Sequence, residues 1–170
     1  MSLSDLIAVM RDGKVVQLGT TREIYRNPRD LYVATFVGKP KMSLVDGTLE
    51  HGDSAVAFVA PELRIGLGSP ASIGLRDEEF GRVALGVRAE DVKVHLNGSA
   101  PDPARTFEAT VQLLEPIGSD TFVELAAGDA TIVARVAPDA GLQIGQQVKA
   151  EMLPGRIHLF ERERGERIIH

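Results

Sequence analysis

Apolar and polar residues alternate along this chain in two rhythms, and the change between them falls near residue 40. An apolar run from Asp5 to Met10 ends at Arg11-Asp12-Gly13-Lys14, and a second run, Val15-Val16-Gln17-Leu18-Gly19, follows at once. Asp-Gly between two apolar runs predicts a tight hairpin, because the turn needs positive φ, which glycine adopts without steric cost. Thr20 with Glu23 three residues on predicts a capped helix start. Asn27-Pro28 predicts a second start, with Asn27 as the cap and Pro28 at the first helical position. Leu31, Val33, Ala34, Phe36 and Val37 then supply an apolar face, and Gly38 is placed to end the helix in a left-handed conformation.

Lys39-Pro40-Lys41 reads as a linker, beyond which the period falls to two residues. Strands are predicted at Leu44–Leu49, Ala55–Val59, Glu62–Gly66, Arg82–Val87, Asp91–His95, Phe107–Glu115, Thr121–Ala126, Ala130–Val136, Gln147–Met152 and Arg156–Phe160. Short strands separated by Gly, Pro, Asp or Asn are the pattern of a sandwich or barrel. Asn97–Arg105, rich in Pro, Gly and Ser, divides this region into halves at 41–96 and 105–160. The halves end alike: Gly86–Val94 and Glu151–Leu159 each read as strand, turn and alternating strand, with Val92 matching Ile157 at an offset of 65.

Composition narrows the classes. At 170 residues, with 44% hydrophobic and 25% charged, the chain holds one medium or two small domains with a real core. No apolar run approaches the roughly 18 residues of a membrane span, and the N-terminus lacks a basic-then-apolar signal layout. A net charge of −5 argues against a nucleic-acid backbone as partner, and 5% aromatics without Trp make a thin stacking surface. Zero cysteines exclude disulfides, thiolate zinc sites and a cysteine nucleophile.

Candidate chemistry is sparse. A phosphate loop needs Gly-x4-Gly-Lys-Ser/Thr, but Gly13-Lys14 is followed by Val15 and Gly38-Lys39 by Pro40; an LSGGQ-type signature is absent as well. His51, His95, His158 and His170 fall at no metal-ligand spacing and read as isolated surface or rim histidines. Ser119-Asp120 with His158 lacks the strained turn and oxyanion donors of a hydrolase. Asp77-Glu78-Glu79 reads as a solvated loop, and the sign-alternating tail Glu161–Arg167 as a solvated extension. Val111, Leu113, Phe122 and Val133 are expected in the core. Two turns stand out, Gly86–Asp91 and Glu115–Thr121, where Glu90, Asp91, Ser119 and Asp120 are expected to bond neighbouring amides. No catalytic, cofactor or metal residue is assigned; the candidate interface or regulatory positions are Arg88, Glu90, Asp91, Gly118, Ser119 and Asp120.

These stretches carry a family resemblance. DLIAVMRDGKVVQLGTTREIYRNPRDLYVATFVGKPKMSLVDG resembles the ATPase-to-regulatory-domain junction of MalK-type subunits of sugar ABC importers. LGVRAEDV is similar to that family's Gly-Ile-Arg-Pro-Glu turn, with Ala89 where the family usually has Pro; VQLLEPIGSDTFVEL and LPGRIHLFERERGERI follow in the family's order. The resemblance covers nearly the whole chain. It implies a mainly β fold: an OB-like TOBE barrel or sandwich over 39–170, preceded over 1–38 by a short α/β remnant of the ABC ATPase domain. On this reading the chain is a C-terminal fragment and no enzyme itself. ATP and Mg belong to an absent N-terminal part of a cytoplasmic parent, peripheral on the inner face of the membrane. Implied partners are a second copy in a homodimer, permease subunits reached through the absent ATPase domain, and a regulatory protein, with no nucleic acid. The alternative is a small-oxyanion-binding TOBE module. The hairpin, parted from its sheet neighbours, is expected to be frayed, packed on the helix at Leu31–Val37, or paired across a dimer.

Overall fold

The structure is a computed structural model that describes residues 6–75, 81–96 and 102–168. It opens with the predicted hairpin, β1 (Ile7–Arg11) and β2 (Lys14–Gly19). Asp12 and Gly13 both take positive φ, 50° and 75°, which turns the chain in two residues. Helix α1 (Thr21–Arg26) carries the full capping box: Thr20 accepts from the Glu23 amide, and the Glu23 carboxylate accepts from the Thr20 amide. Helix α2 (Leu31–Phe36) begins later than predicted. Its cap is Asp30, whose Oδ1 accepts from the Val33 amide at 2.9 Å, while Asn27 closes α1 instead. The reason lies in the connection: the Arg29 amide donates to Gln17 Oε1 at 2.9 Å, which pins that stretch to β2 before the helix starts.

Of the three arrangements open to the hairpin, the molecule adopts packing on the helices. Val9, Ile24 and Val33 form a buried cluster flanked by Ile7, Val16, Tyr32 and Val37. Met10, Val15 and Leu18 stay exposed on the other side. Phe36 departs from the predicted apolar face; it is exposed and stacks on Tyr32 at 5.7 Å, one turn earlier on the solvent side.

All ten predicted strands beyond the linker form, as β3 (Ser43–His51), β4 (Val56–Ala60), β5 (Leu63–Gly68), β6 (Val83–Val87), β7 (Val92–His95), β8 (Thr106–Ile117), β9 (Asp120–Ala127), β10 (Ala130–Val136), β11 (Gln147–Met152) and β12 (His158–Glu161). One short helix, α3 (Pro70–Ile73), follows β5. They build two five-stranded antiparallel sheets, ordered β12-β6-β3-β4-β5 and β7-β11-β8-β9-β10. The same order results when β3–β7 is laid on β8–β12, with the last strand of each set lodged in the other set's sheet. The two exchanged ladders fix the equivalence: Val92 faces Met152 and His158 faces Gly86, an offset of 66 rather than 65. His158 therefore takes the ladder place of Val92.

Between the sheets lies a single core drawn from both, including Phe58, Leu63, Ile65, Leu85, Leu125, Ile132, Met152 and Leu159. Val111 is in it, but three residues expected beside it are not fully buried. On β9 and β10 the inward positions are Val123, Leu125, Ile132 and Ala134, so Phe122 and Val133 lie half-buried on the other face. On β8 a bulge between Val111 and Leu113 shifts the alternation by one residue and turns Leu113 outward. Gly47, where β3 passes from pairing with β6 to pairing with β4, has no room for a Cβ; one would sit 2.4 Å from the Val59 carbonyl oxygen.

A second buried cluster, Ala34, Met42, Ala84 and Phe160, joins α2 to the sheet. The charged tail keeps Arg162, Glu163, Arg164 and Glu166 exposed, as expected of a solvated segment, but its backbone is sewn in. The Leu31 amide donates to the Gly165 carbonyl at 2.8 Å, and the Arg167 amide donates to the Arg29 carbonyl at 3.1 Å. Backbone pairing of this kind leaves no trace in a charge pattern. Among the described residues no helix is long and apolar enough to cross a membrane. Replacing Ile24 with Ala is expected to remove about 2–5 kcal/mol, as for a large-to-small change in a core. Hydrogen exchange is expected to speed up at Ile7–Met10 while Val123–Leu125 keeps its protection; unchanged protection at Val9 would show that something else holds the hairpin.

Candidate functional site

Where β6 leaves its sheet, the backbone runs extended through Arg88 into a single 3-10 turn at Ala89–Asp91. Arg88 is only 2% exposed. Its Nη1 donates to the Val37 carbonyl at 2.8 Å and its Nη2 to the Tyr25 carbonyl at 3.1 Å. These oxygens lie at the C-terminal ends of α2 and α1, where helix carbonyls lack partners within the helix. The guanidinium carbon also lies 3.8 Å from the centre of the Tyr25 ring. One side chain from the sheet thus fastens both helices of the lead-in. Gly38 is required beside it: its φ is +112°, and a Cβ there would lie 2.7 Å from Arg88 Nη1.

Burying a cation is costly unless polar groups replace water. Burial pushes the Arg88 guanidinium down from its ordinary range, and Tyr25, Glu90 and Asp91 oppose that. The Tyr25 hydroxyl donates to Glu90 Oε1 at 2.6 Å. Burial, with that carboxylate, raises the Tyr25 phenol to about 12, so it remains a donor at neutral pH. Asp91 is raised by burial and by Glu90, and lies 3.7 Å from Arg156.

The joint borders a cavity of about 460 Å³ whose wall includes Arg26, Arg156, His158 and Arg167 besides the Arg88 turn. His158 is 7% exposed and its Nδ1 has no hydrogen-bond partner; neither do Arg88 Nε and Arg167 Nε. Burial lowers the His158 imidazole to about 4, helped by the charges of Arg167 and Arg88, so the ring is neutral at pH 7.

Of the six candidate positions, Arg88, Glu90 and Asp91 come together here, and Arg88 makes its contacts inside the chain. Glu90 and Asp91 reach Tyr25 and Arg156 rather than neighbouring amides; the turn is closed by backbone, the Asp91 amide donating to the Arg88 carbonyl at 2.9 Å. Gly118, Ser119 and Asp120 sit apart at the tip of the β8–β9 hairpin. Gly118 has a φ of +58°, Ser119 Oγ donates to Asp120 Oδ2 at 3.2 Å, and Asp120 Oδ1 lies 4.0 Å from Arg135. Among the described residues no hydrogen bond or ion pair joins the two turns. His51 is exposed and His95 is half-buried, its Nε2 2.9 Å from a Glu151 oxygen, whereas His158, read with them as a surface or rim group, is buried. Among the described residues no cluster of His, Cys, Asp and Glu is suited to a metal. His170 and Asp77-Glu78-Glu79 lie outside those residues. Sequence reasoning did not single out Tyr25, Arg156 and Arg167. Tyr25 offered one signal: it is one of two tyrosines in an aromatic-poor chain.

Residues 85–160 match the model of the TOBE domain family, so the Arg88 turn, the β8–β9 hairpin and His158 all lie in a TOBE domain. The wider chain is similar to importer ATP-binding subunits. It is 32% identical to the sulfoquinovosyl glycerol transport ATP-binding protein SmoE of Agrobacterium fabrum, over 100% of this chain and 45% of that protein. It is 33% identical to the xylose/arabinose import ATP-binding protein XacK of Haloferax volcanii, over 98% and 42%. To the diacetylchitobiose uptake system ATP-binding protein MsiK of Streptomyces coelicolor it is 32% identical, over 99% and 47%. Residues 85–160 are thus a TOBE domain within a chain that is similar along nearly its whole length to ATP-binding subunits of transport and uptake systems, and the chain spans less than half the length of these curated relatives. Among solved structures, the cytoplasmic molybdate-binding protein ModG aligns with a TM-score of 0.53 at 19% identity, covering 68% of this chain and 93% of that one. At that identity the likeness shows the fold alone.

The neutral, buried His158 makes a pH prediction. Its folded pKa lies below the unfolded 6.5, so the unfolded chain takes up the proton first as pH falls. The stabilisation from keeping the ring neutral is complete above 6.5 and is lost progressively towards about 4. By pH 5 the loss amounts to about 2 kcal/mol. Urea melts at pH 7.5 and 5.0 are expected to show a smaller acid loss in His158→Gln than in the parent chain; equal losses would contradict the assignment.

Proposed function

We propose that this chain is the C-terminal regulatory and dimerisation region of the ATP-binding subunit of an ABC importer for a sugar or related solute. The observation that carries the reading is that similarity to importer ATP-binding subunits runs through both the lead-in and the β region. Packing supports it, since the two parts share the Arg88 joint and the Phe160 cluster. On this reading residues 1–38 are the end of an ATPase domain and 39–170 the regulatory domain, with 41–96 and 105–160 as related halves. The matching strand order of the two sheets supports that last point.

ATP and Mg then belong to the part of the relatives' length that this chain does not span. The phosphate loop and signature absent from this sequence would lie there, and the chain alone would not turn over ATP. The parent would work at the cytoplasmic face of the membrane against permease subunits, and its regulatory domain would also be open to a regulatory protein.

The role of the β region would be to hold two subunits together, so that ATPase halves which part during a cycle meet again at high effective concentration. The surface best suited to this lies on the outer face of the second sheet near the β8–β9 tip. Leu113 and Ile117 are 44% and 43% exposed there, and Phe122 lies half-buried on the same face. Glu115, Glu124 and Arg135 border them, giving both signs of charge, as a two-fold self-contact requires. Gly118, Ser119 and Asp120 would form its edge.

Sedimentation equilibrium tests this. The chain is expected to be a dimer at tens of micromolar, and Leu113→Glu with Ile117→Glu is expected to leave a folded monomer. A monomeric parent chain, or a dimer indifferent to both substitutions, would remove this surface from consideration.

A further inference from the structure

The cavity at the joint has a charge that the rest of the chain does not share. The chain carries a net charge of −5, yet four arginines and only two carboxylates line this space. The carboxylates are already engaged: Glu90 accepts from the Tyr25 hydroxyl, and Asp91 faces Arg156. Arg88 is served by neutral carbonyls and a ring face, and Arg167 Nη1 donates to the Asn27 side-chain oxygen at 3.2 Å. Among the described residues neither guanidinium has a carboxylate within ion-pair distance.

Three nitrogens at this place, on Arg88, Arg167 and His158, are buried without a hydrogen-bond partner. Buried polar groups are rarely left in that condition, and each one calls for an explanation. His158 adds a second oddity, because the equivalent ladder position in the other sheet is Val92. Both turns line this cavity, but His158 lines it where its equivalent, Val92, does not, so an imidazole stands in place of an aliphatic side chain at the one of the two positions that meets this space. Arg26 and Arg156 are more exposed, so they can reach an incoming group from the solvent side.

We propose that this cavity is a binding site for a small doubly charged oxyanion of the phosphate class. Arg156 and Arg167 hold it, Arg26 lies at the entrance, and the buried Arg88 charge supplies the attracting field. Charge-assisted bonds from guanidinium to phosphoryl oxygens are short, strong and directional. A dianion here would supply the counter-charge that the buried guanidiniums lack. Both the lead-in, through Arg26, and the TOBE domain, through Arg156, would contact it, so its occupancy would stiffen the joint.

The test is a nuclear magnetic resonance titration of the full chain with sodium phosphate, sodium chloride holding ionic strength constant, and in parallel with glycerol phosphate. Saturable shifts are expected at the amides of Arg88–Asp91 and Arg156–His158. Arg156→Gln and Arg167→Gln are each expected to weaken binding roughly tenfold, the size of one hydrogen bond to a charged group. Arg64→Gln, on the surface away from this cavity, is the control and is expected to leave binding unchanged. Equal binding of the ester identifies a phosphoryl group as the ligand, whereas preference for inorganic phosphate identifies the free ion; either supports the site. Shifts that never saturate, or that survive both cavity substitutions in folded protein, would overturn it. The Arg156 side chain is 43% exposed, so the Arg156→Gln arm does not depend on tolerance of a core change.

Discussion

A buried guanidinium is the constraint around which this molecule is arranged. Arg88 can stay charged inside the protein only if oxygen acceptors and a π face take the place of water. It obtains them from the C-terminal ends of two six-residue helices and from the Tyr25 ring. Helices of that length have no stability of their own in water. Each therefore gains a bond for a carbonyl that would otherwise be unpaired, and the sheet gains a means of fixing where the lead-in sits. The glycine at 38 and the phenol at 25 follow from the same requirement: one leaves room for the guanidinium, and the other covers it while bonding back to Glu90.

The exchange of strands explains why the joint lies where it does. Because β7 completes the second sheet and β12 the first, the turns leading into them, Arg88–Asp91 and Leu153–Arg156, meet near the pseudo-two-fold. They are tied by the Leu153 amide donating to the Asp91 carbonyl at 2.9 Å and by the Asp91–Arg156 pair. Only one of the two turns offers an arginine at its start; the equivalent position in the other is Pro154. A nearly symmetric double sheet thus presents a single docking point for the helices, and the tail closes the same region through Gly165 and Arg167. Neither half completes its sheet alone, so the two halves of the β region are expected to unfold together.

Much of this was legible in the sequence because it is local. The Asp12-Gly13 turn, the Thr20–Glu23 cap and ten strands rest on period and turn chemistry within a few residues. What was not legible depends on pairs far apart in the chain. Arg88 and Glu90 stood out as part of a turn, but nothing local shows that Tyr25, 63 residues earlier, receives Arg88. The face of Phe122 and Val133 was misjudged because adjacent positions on those strands are both apolar, so period alone does not choose between them. Leu113 was misjudged because a bulge moves the alternation without marking the residues. The tail was read by its charges, while backbone hydrogen bonds hold it in place.

Whether Arg88 binds the lead-in to the β region can be measured directly, because both tyrosines, Tyr25 and Tyr32, lie in the lead-in and the chain has no tryptophan. Tyrosine fluorescence then reports the helices, and far-ultraviolet circular dichroism reports mainly the sheets. In urea the two signals of the parent chain should change together, as expected of one cooperative unit. In Arg88→Met the tyrosine transition should move to lower urea while the dichroism midpoint stays near its place. Coincident transitions in Arg88→Met, at the parent chain's midpoint, would contradict the account.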